Sequence, residues 1–311
     1  RAVSAVHGRL SQAKILQYHL NRMNRAERKA LDRLRDHAEK LTGKESANVL
    51  DALLEWHKFK MQPLPLPLLA ARAQANPHPI IVASPTPDAH VQPPHRGHRS
   101  SKFTSAFISS DRADELGFTY RPALHDLLDP DLGYIPYSTL NILKTEIRMD
   151  LEMSRVHLHE INFAEVVNLA PMTSLQKPLS WLLGARLVRP TDSACRACLV
   201  GDLQAGGGVS AFLDNDRTLV FSFVKAHADL AKKNRGGPSV EAGVISALLD
   251  SFKLLLSIEQ SWRFPREAAW MNGKAYISIP ALPWEFRLGV EMRTFDNNSK
   301  ITGRLDISQY F

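Results

Sequence analysis

The chain has 311 residues, is 44% hydrophobic and 23% charged, and holds 16 Gly and 19 Pro. This composition excludes a wholly disordered chain and a collagen-like one, and two cysteines exclude a disulfide scaffold. The formal charge of +7 is uneven: residues 1–100 hold 16 Lys/Arg against 8 Asp/Glu, and the other 211 residues hold 23 against 24.

The first segment reads as helix. Apolar residues fall at Val3, Val6, Leu10, Ala13, Leu16, Leu20 and Met23, then at Ala30, Leu34, Ala38 and Leu41, in steps near 3.5. The polar run at Asn24, Arg25, Glu27 and Arg28 marks a break, and Gly43 a stop. Ser46 is the N-cap expected for a second helix, with Val49, Leu50, Leu53, Leu54 and Trp56 on its apolar face, ending before Pro63. Residues 1–60 are therefore expected to form a basic helical hairpin.

Residues 61–100 hold nine of the nineteen prolines and four of the twelve histidines. Proline blocks helix and removes backbone donors, so the expectation is an extended arm lying on a partner, with Pro63, Pro65, Pro67, Pro77, Pro79, Pro93 and Pro94 as its contacts.

Residues 101–311 are expected to form an α+β body. Short helical pieces are read at Asp111–Leu116, Pro122–Leu128 and Ser174–Leu183. A long helix runs from Ser138 to about Leu169, carried by Leu140, Leu143, Ile147 and Leu151. Ala197–Leu203, Val209–Leu213 and Thr218–Val224 read as a meander whose first turn is Gly206-Gly207-Gly208. A helix at 225–233 and another from Ser239 to Trp262 follow. Ala275–Ile279 and the alternating runs 286–292 and 301–307 complete an antiparallel sheet. The fold class expected is thus α+β: a helical hairpin, a proline-rich arm, and a mixed helical body with an antiparallel sheet.

Chemistry-bearing motifs are few. Cys195 and Cys198 form a C-x-x-C pair that could ligate a metal or cycle as a disulfide, and are otherwise two ordinary thiols. His157 and His159 are the nearest further ligands. The glycine triplet lacks the Lys-Ser/Thr of a phosphate loop. Asp214 and Asp216 suit a turn better than a cation loop. His125 with Asp126, and His227 with Asp229, could pair, but no nucleophile elbow accompanies them. The chain is therefore expected to be non-enzymatic and to carry no cofactor.

Arg22, Arg25, Arg28, Lys29, Arg33, Arg35, Arg96 and Arg99 are candidate contacts for an acidic partner or an RNA backbone, without the interleaved aromatics that read bases. No run of 18 uninterrupted apolar residues exists, so no transmembrane helix or other membrane-spanning segment is expected. A start at Arg1 would suit a processed chain. Together these readings give a structural subunit of a large assembly, bound to other protein subunits, with an RNA backbone as a further expected partner. It is placed inside the cell in an organellar complex of mitochondrial ribosome or respiratory type. A viral capsid protein with exchanged arms, residing in the virion, is the alternative, and a metal or redox protein using Cys195 and Cys198 is a third.

Overall fold

A computed structural model describes residues 15–16, 19–20, 22–35, 37–75, 99–111, 113–131, 134–173, 177–189, 198–213, 217–230, 235–249, 252–264, 268–295 and 298–311. The chain divides into two units, residues 1–93 and 94–311.

The first unit holds α1 (Arg25–Leu34), a 3-10 turn (Ala38–Lys40), α2 (Ala47–Phe59) and α3 (Leu66–Ala75). The polar run expected to interrupt the first helix is a helix start. The Asn24 side chain accepts from the Ala26 and Glu27 amides at 2.9 and 3.0 Å, and the Asn24 amide donates to Glu27 Oε2 at 2.9 Å. This reciprocal arrangement satisfies the free amides of the first turn. Ser46 caps α2 as expected and donates to Glu27 Oε1 at 2.6 Å, tying the two helix starts together. Gly43 has φ +76°, a conformation open to glycine. Leu31, Leu34, Leu50, Leu53, Trp56 and Leu68 form the buried core.

The expected extended arm is corrected at α3. Pro63 and Pro65 precede this helix, and Pro67 sits in its first turn, where a missing amide costs nothing. Pro77, Pro79, Pro93 and Pro94 lie outside the described residues.

The second unit is a barrel, not an α+β body. Its strands are β1 (Lys102–Ser110), β2 (Asp114–Arg121), β3 (Ala123–His125), β4 (Ser138–Asp150), β5 (Arg155–Asn168), β6 (Pro171–Met172) and β7 (Ser180–Val188), followed by β8 (Val200–Phe212), β9 (Thr218–Leu230), β10 (Arg235–Leu249), β11 (Phe252–Arg263), β12 (Ala268–Ala281), β13 (Trp284–Phe295) and β14 (Asn298–Tyr310). The pairing order is β2-β1-β14-β13-β12-β11-β10-β9-β8-β7-β5-β4, and β2 pairs with β4 in turn. Twelve antiparallel strands therefore close into a ring without a free edge. The short β3 extends the pairing of β4, and β6 pairs parallel to β8. β1 begins and β14 ends at the same rim, called here the terminal rim.

The expected helix at 138–169 is the β4–β5 hairpin, and a parity slip explains the misreading. Leu143 has φ +55° and drops out of the ladder between the pairs Ile142↔Ala164 and Lys144↔Asn162. Before it the buried positions are Thr139 and Asn141; after it they are Glu146 and Asp150. Two strand segments of opposite parity place Leu140, Leu143, Ile147 and Leu151 at helical spacing.

The expected helix at 239–262 is β10 and β11. Here Ile245 faces a buried apolar cluster inside the barrel and Leu255 packs against it, while Leu254, Leu256 and Ile258 lie on the other face. With both faces apolar at this level, the run loses its alternation and imitates a buried helix.

The glycine triplet is mid-strand, not a turn. In β8, Gly206 and Gly208 pair with Lys225 and Phe223 of β9. A Cβ at Gly208 would collide with the Ser222 carbonyl oxygen and stand 2.7 Å from Phe223 Cδ1. The bare backbone makes room for these two long inward side chains.

Candidate functional site: a plugged polar lumen

The alternation along the strands is inverted relative to a water-soluble barrel. On β13 Trp284, Phe286, Leu288, Val290 and Met292 are exposed, while Glu285 is fully buried. On β14 Ile301, Leu305 and Ile307 are exposed while Asp306, Ser308 and Tyr310 are buried. Apolar pairs such as Phe286↔Ile307 and Leu288↔Leu305 line up across the outer wall. Phe103, Tyr120, Trp181, Trp284 and Phe311 are exposed at the terminal rim. The alternation expected at 286–292 and 301–307 is present, but its apolar face points outward.

The lumen is lined with charge. Near the middle of the ring, Arg304 pairs with Glu146 at 3.1 Å and Asp306 at 2.7 Å, and Arg148 bridges Glu146 and Glu115 at 2.6 and 3.1 Å. Across the lumen Lys225 reaches Glu241 and Glu259, both at 2.8 Å. His227 Nε2 lies 2.8 Å from Ser239 Oγ and 3.1 Å from Glu259, with Nδ1 3.8 Å from Asp202. This resembles a Ser-His-Asp arrangement in outline, but Glu259 shares the nitrogen that a serine nucleophile needs, and Ser239 is completely buried. Of the residue pairs singled out in the sequence, His125 Nε2 lies 2.7 Å from Ser138 Oγ, and Asp229 pairs with Arg263 at 3.0 Å.

The densest cluster sits at the terminal rim and is built by residues 126–131, which follow β3. The sequence Asp126-Leu127-Leu128-Asp129 forms a locked turn. Asp126 Oδ1 accepts from the Leu128 and Asp129 amides at 2.9 and 3.1 Å, and Asp129 Oδ2 accepts from the Asp126 amide at 2.9 Å. The turn aims both carboxylates at one wall. Asp126 receives both terminal nitrogens of Arg287 at 2.9 and 3.0 Å and Arg121 at 3.1 Å. Asp129 receives Lys102 at 2.8 Å, Arg287 at 2.6 Å and the Tyr310 hydroxyl at 2.7 Å, and forms an ion pair with Arg121 at 2.5 Å. Glu285 completes the wall, pairing with Lys102 at 2.8 Å and with Arg287 Nε. Lys253 of β11 donates to the Asp129 carbonyl oxygen at 2.6 Å and to Asp131 at 2.7 Å. Burial alone would raise the carboxyls of Asp126 and Asp129. The cations around them hold both well below the usual carboxylate range.

The same segment reaches the opposite wall. Leu127 and Tyr137 pack on the buried cluster of Leu169, Leu182, Leu219, Phe221, Phe223 and Ile245, and the Tyr137 ring meets Phe212 edge-on at 5.4 Å. In the ring order β9 stands diametrically opposite β1. The segment thus crosses the lumen, held by charge on one side and by apolar contact on the other. Ser180 and Ser278 of the inner wall near this rim are fully buried, so side chains close the lumen here.

The residues proposed from the sequence fall elsewhere. Arg22, Arg25, Arg28, Lys29 and Arg33 are exposed and Arg35 half-exposed, all in the helical unit, with Arg35 3.7 Å from Asp32. Arg99 is exposed just before β1, and Arg96 and Cys195 lie outside the described residues. Cys198 is disulfide-bonded and has no thiolate to offer a metal. Among the described residues no group of three or more His, Cys, Asp or Glu side chains could hold a metal ion. Lys102, Arg121, Asp129, Glu285, Arg287 and Tyr310 were not singled out. Their signal was the charge on one parity of a strand, Glu285, Arg287 and Glu291, against apolar residues on the other.

The fold and its lumen define a closed β-barrel with an apolar outer wall and a charged interior. The chain belongs to the family described as a domain of unknown function, DUF7840, whose model matches residues 91–276. Among curated proteins no relative matches the chain. Similar solved structures include the KdgM porin in complex with disordered oligogalacturonate, at 10% identity and TM-score 0.41, covering 68% of this chain and 99% of that one. The NanC porin aligns at 7% identity and TM-score 0.42, covering 68% and 100%. An outer membrane channel from Pseudomonas putida F1 aligns at 10% identity and TM-score 0.43, covering 72% and 98%.

The barrel corrects the expected assembly subunit. Its outer wall is apolar where an RNA contact or a genome-facing capsid surface needs basic side chains. The mitochondrial and virion placements and the RNA and subunit partners are overturned by this barrel, and the expected absence of a membrane-spanning segment counted only long apolar runs. No helix among the described residues is long and apolar enough to cross a membrane, which leaves strands free to do so.

Proposed function

We propose that residues 94–311 form a membrane-spanning β-barrel of the outer-membrane type, a channel whose polar interior is the route for small polar solutes. One observation carries this reading: a closed ring exposes its large apolar side chains and buries its charges. In water that arrangement is unfavourable on both counts. In a bilayer, closure satisfies every ladder hydrogen bond, the outer wall matches the lipid, and the charges pair inside. The strands are long enough. β9, β8 and β14 have 13 residues each, and at a rise of about 3.4 Å and a tilt of about 45° such a strand spans about 31 Å, near the hydrocarbon thickness. The rim aromatics suit a membrane interface. The barrel is read as non-catalytic and without a cofactor.

The test is cell fractionation of the expressed chain, combined with gel migration with and without boiling. A membrane-inserted protein that is extracted only by detergent and migrates faster before boiling supports the barrel. A monodisperse protein, soluble without detergent, refutes it.

A further inference from the structure

The wall beneath the segment 126–131 carries more positive than negative charge. Lys102, Arg121, Lys253 and Arg287 face it, and Glu285 is the wall's one carboxylate in the cluster. The segment supplies Asp126, Asp129 and Asp131, which bring the sum to zero. Each wall cation therefore reaches a carboxylate or a carbonyl oxygen of the tether, and Lys102 and Arg287 share Glu285 of the wall as well. The tether leaves from β3 and returns to β4 on one side of the ring, and its turn at 126–129 is closed by its own backbone at 3.2 Å. The geometry is that of a ligand attached at both ends: two carboxylates three residues apart, held rigidly by their own turn, seated on two arginines, a lysine and a tyrosine hydroxyl.

We propose that this wall is an anion-binding site for small carboxylate- or phosphate-bearing solutes, and that residues 126–131 occupy it as a tethered stand-in that closes the lumen. The proposal rests on the channel reading. A solute dianion can replace Asp126 and Asp129 contact for contact, since an arginine binds any carboxylate or phosphate through the same paired donors. What it does not replace is the grip of Leu127 and Tyr137 on the opposite wall, so the segment stays on that wall instead of leaving the barrel. The vacated mouth has a surplus of three positive charges, and such a constriction favours anions.

The experiment uses the full chain reconstituted in lipid vesicles and planar bilayers, with the Asp126→Asn/Asp129→Asn double variant beside it. The expected result is that the double variant raises conductance at least tenfold over wild type. Its reversal potential in a KCl gradient is that of a chloride-preferring pore, and millimolar succinate reduces the current. A second variant, with residues 126–136 replaced by a Gly-Asn-Gly turn joining β3 to β4, is expected to behave alike. Conductance that stays at the wild-type level in both variants, or a cation-preferring current, overturns the stand-in. Failure of both variants to assemble also overturns it, because the segment is then part of the scaffold. Failure of wild type itself to enter vesicles is a separate result, and it counts against the membrane reading.

Discussion

Replacing Arg287 by Met tests the physics of the plugged lumen most directly. The methylene stem keeps its volume and the charge disappears. Arg287 donates to Asp126 at 2.9 and 3.0 Å, to Asp129 at 2.6 Å, and to Glu285 through Nε. Asp129 and Glu285 are almost inaccessible to solvent, so the loss leaves three clustered carboxylates with Lys102 and Arg121 as their remaining charged partners. Removing one member of a buried ionic group costs about 3–5 kcal/mol, because the group left behind cannot regain its water. Arg293 lies on the same strand, but its side chain is 52% exposed and its contact with Glu291 is 3.5 Å. Arg293→Met should cost about 0–1 kcal/mol. The assay is reversible urea unfolding in lipid vesicles, followed by tryptophan fluorescence. Adding Asp126→Asn to Arg287→Met should recover part of the loss, since one of the stranded charges is removed with it. If Arg287→Met costs no more than Arg293→Met, water reaches the cluster and the lumen is not plugged at this rim.

Acid should loosen the same site. Lys102, Arg121 and Arg287 depress the carboxyls of Asp126 and Asp129 in the folded state, so their stabilisation is complete above the unfolded value of about 3.9 and is lost as pH falls below it. An unfolding series from pH 5 down to pH 2 should therefore show a steeper acid loss in wild type than in the Asp126→Asn/Asp129→Asn variant, and equal slopes would refute the assignment. Gly208→Ala should destabilise the barrel by about 1–3 kcal/mol, because its Cβ meets the Ser222 carbonyl and the Phe223 ring. Gly207→Ala, whose Cβ finds Leu179 Cδ2 at 3.8 Å, should stay within about 0.5 kcal/mol in the same assay. Leu288→Arg places a charge in the middle of the outer wall, where the native side chain is 54% exposed. In a bilayer this should cost about 2–4 kcal/mol and reduce the inserted fraction; unchanged insertion would show that the wall does not face lipid.

The helical unit was legible because its signals are local. Ser46 caps its helix through an amide three residues on and Gly43 marks a turn by its own φ, whereas Asn24, read as a break, is a helix start. Pro67 was misread because a proline that blocks a helix interior is harmless in a first turn. The barrel was harder, since its strands lack the contrast that a soluble sheet has. Leu143 slips the parity of β4 and turns a strand pattern into a helical one. Ile245 and Leu255 put apolar side chains inside the barrel at the level where the outside is also apolar. Lys225, His227 and Asp229, all inward on β9, alternate with Val224, Ala226, Ala228 and Leu230, and small outward residues made that strand resemble a helix. Where the contrast survived, on β13 and β14, the strands were found, but the sign of the faces was not. Alternation fixes which residues share a face; it does not fix which face is wet. That depends on whether the sheet closes.

Closure also explains why the site was invisible. The plug lies in one short stretch, Asp126 to Asp131, and its turn chemistry can be read there. Its counter-charges come from Lys102 and Arg121 on one side of it in sequence and from Lys253 and Arg287 more than a hundred positions further on. They share a wall because β1 pairs with both β2 and β14, so the first and last strands of the barrel are neighbours. The net charge of −1 over residues 101–311 conceals this separation, since acidic tether and basic wall cancel. An inventory of charge along the chain finds a neutral body. The same charges placed on the ring give a cationic mouth with an acidic stopper already in it, which is why the carboxylates of the segment, and not its length or its prolines, decide whether the lumen is closed.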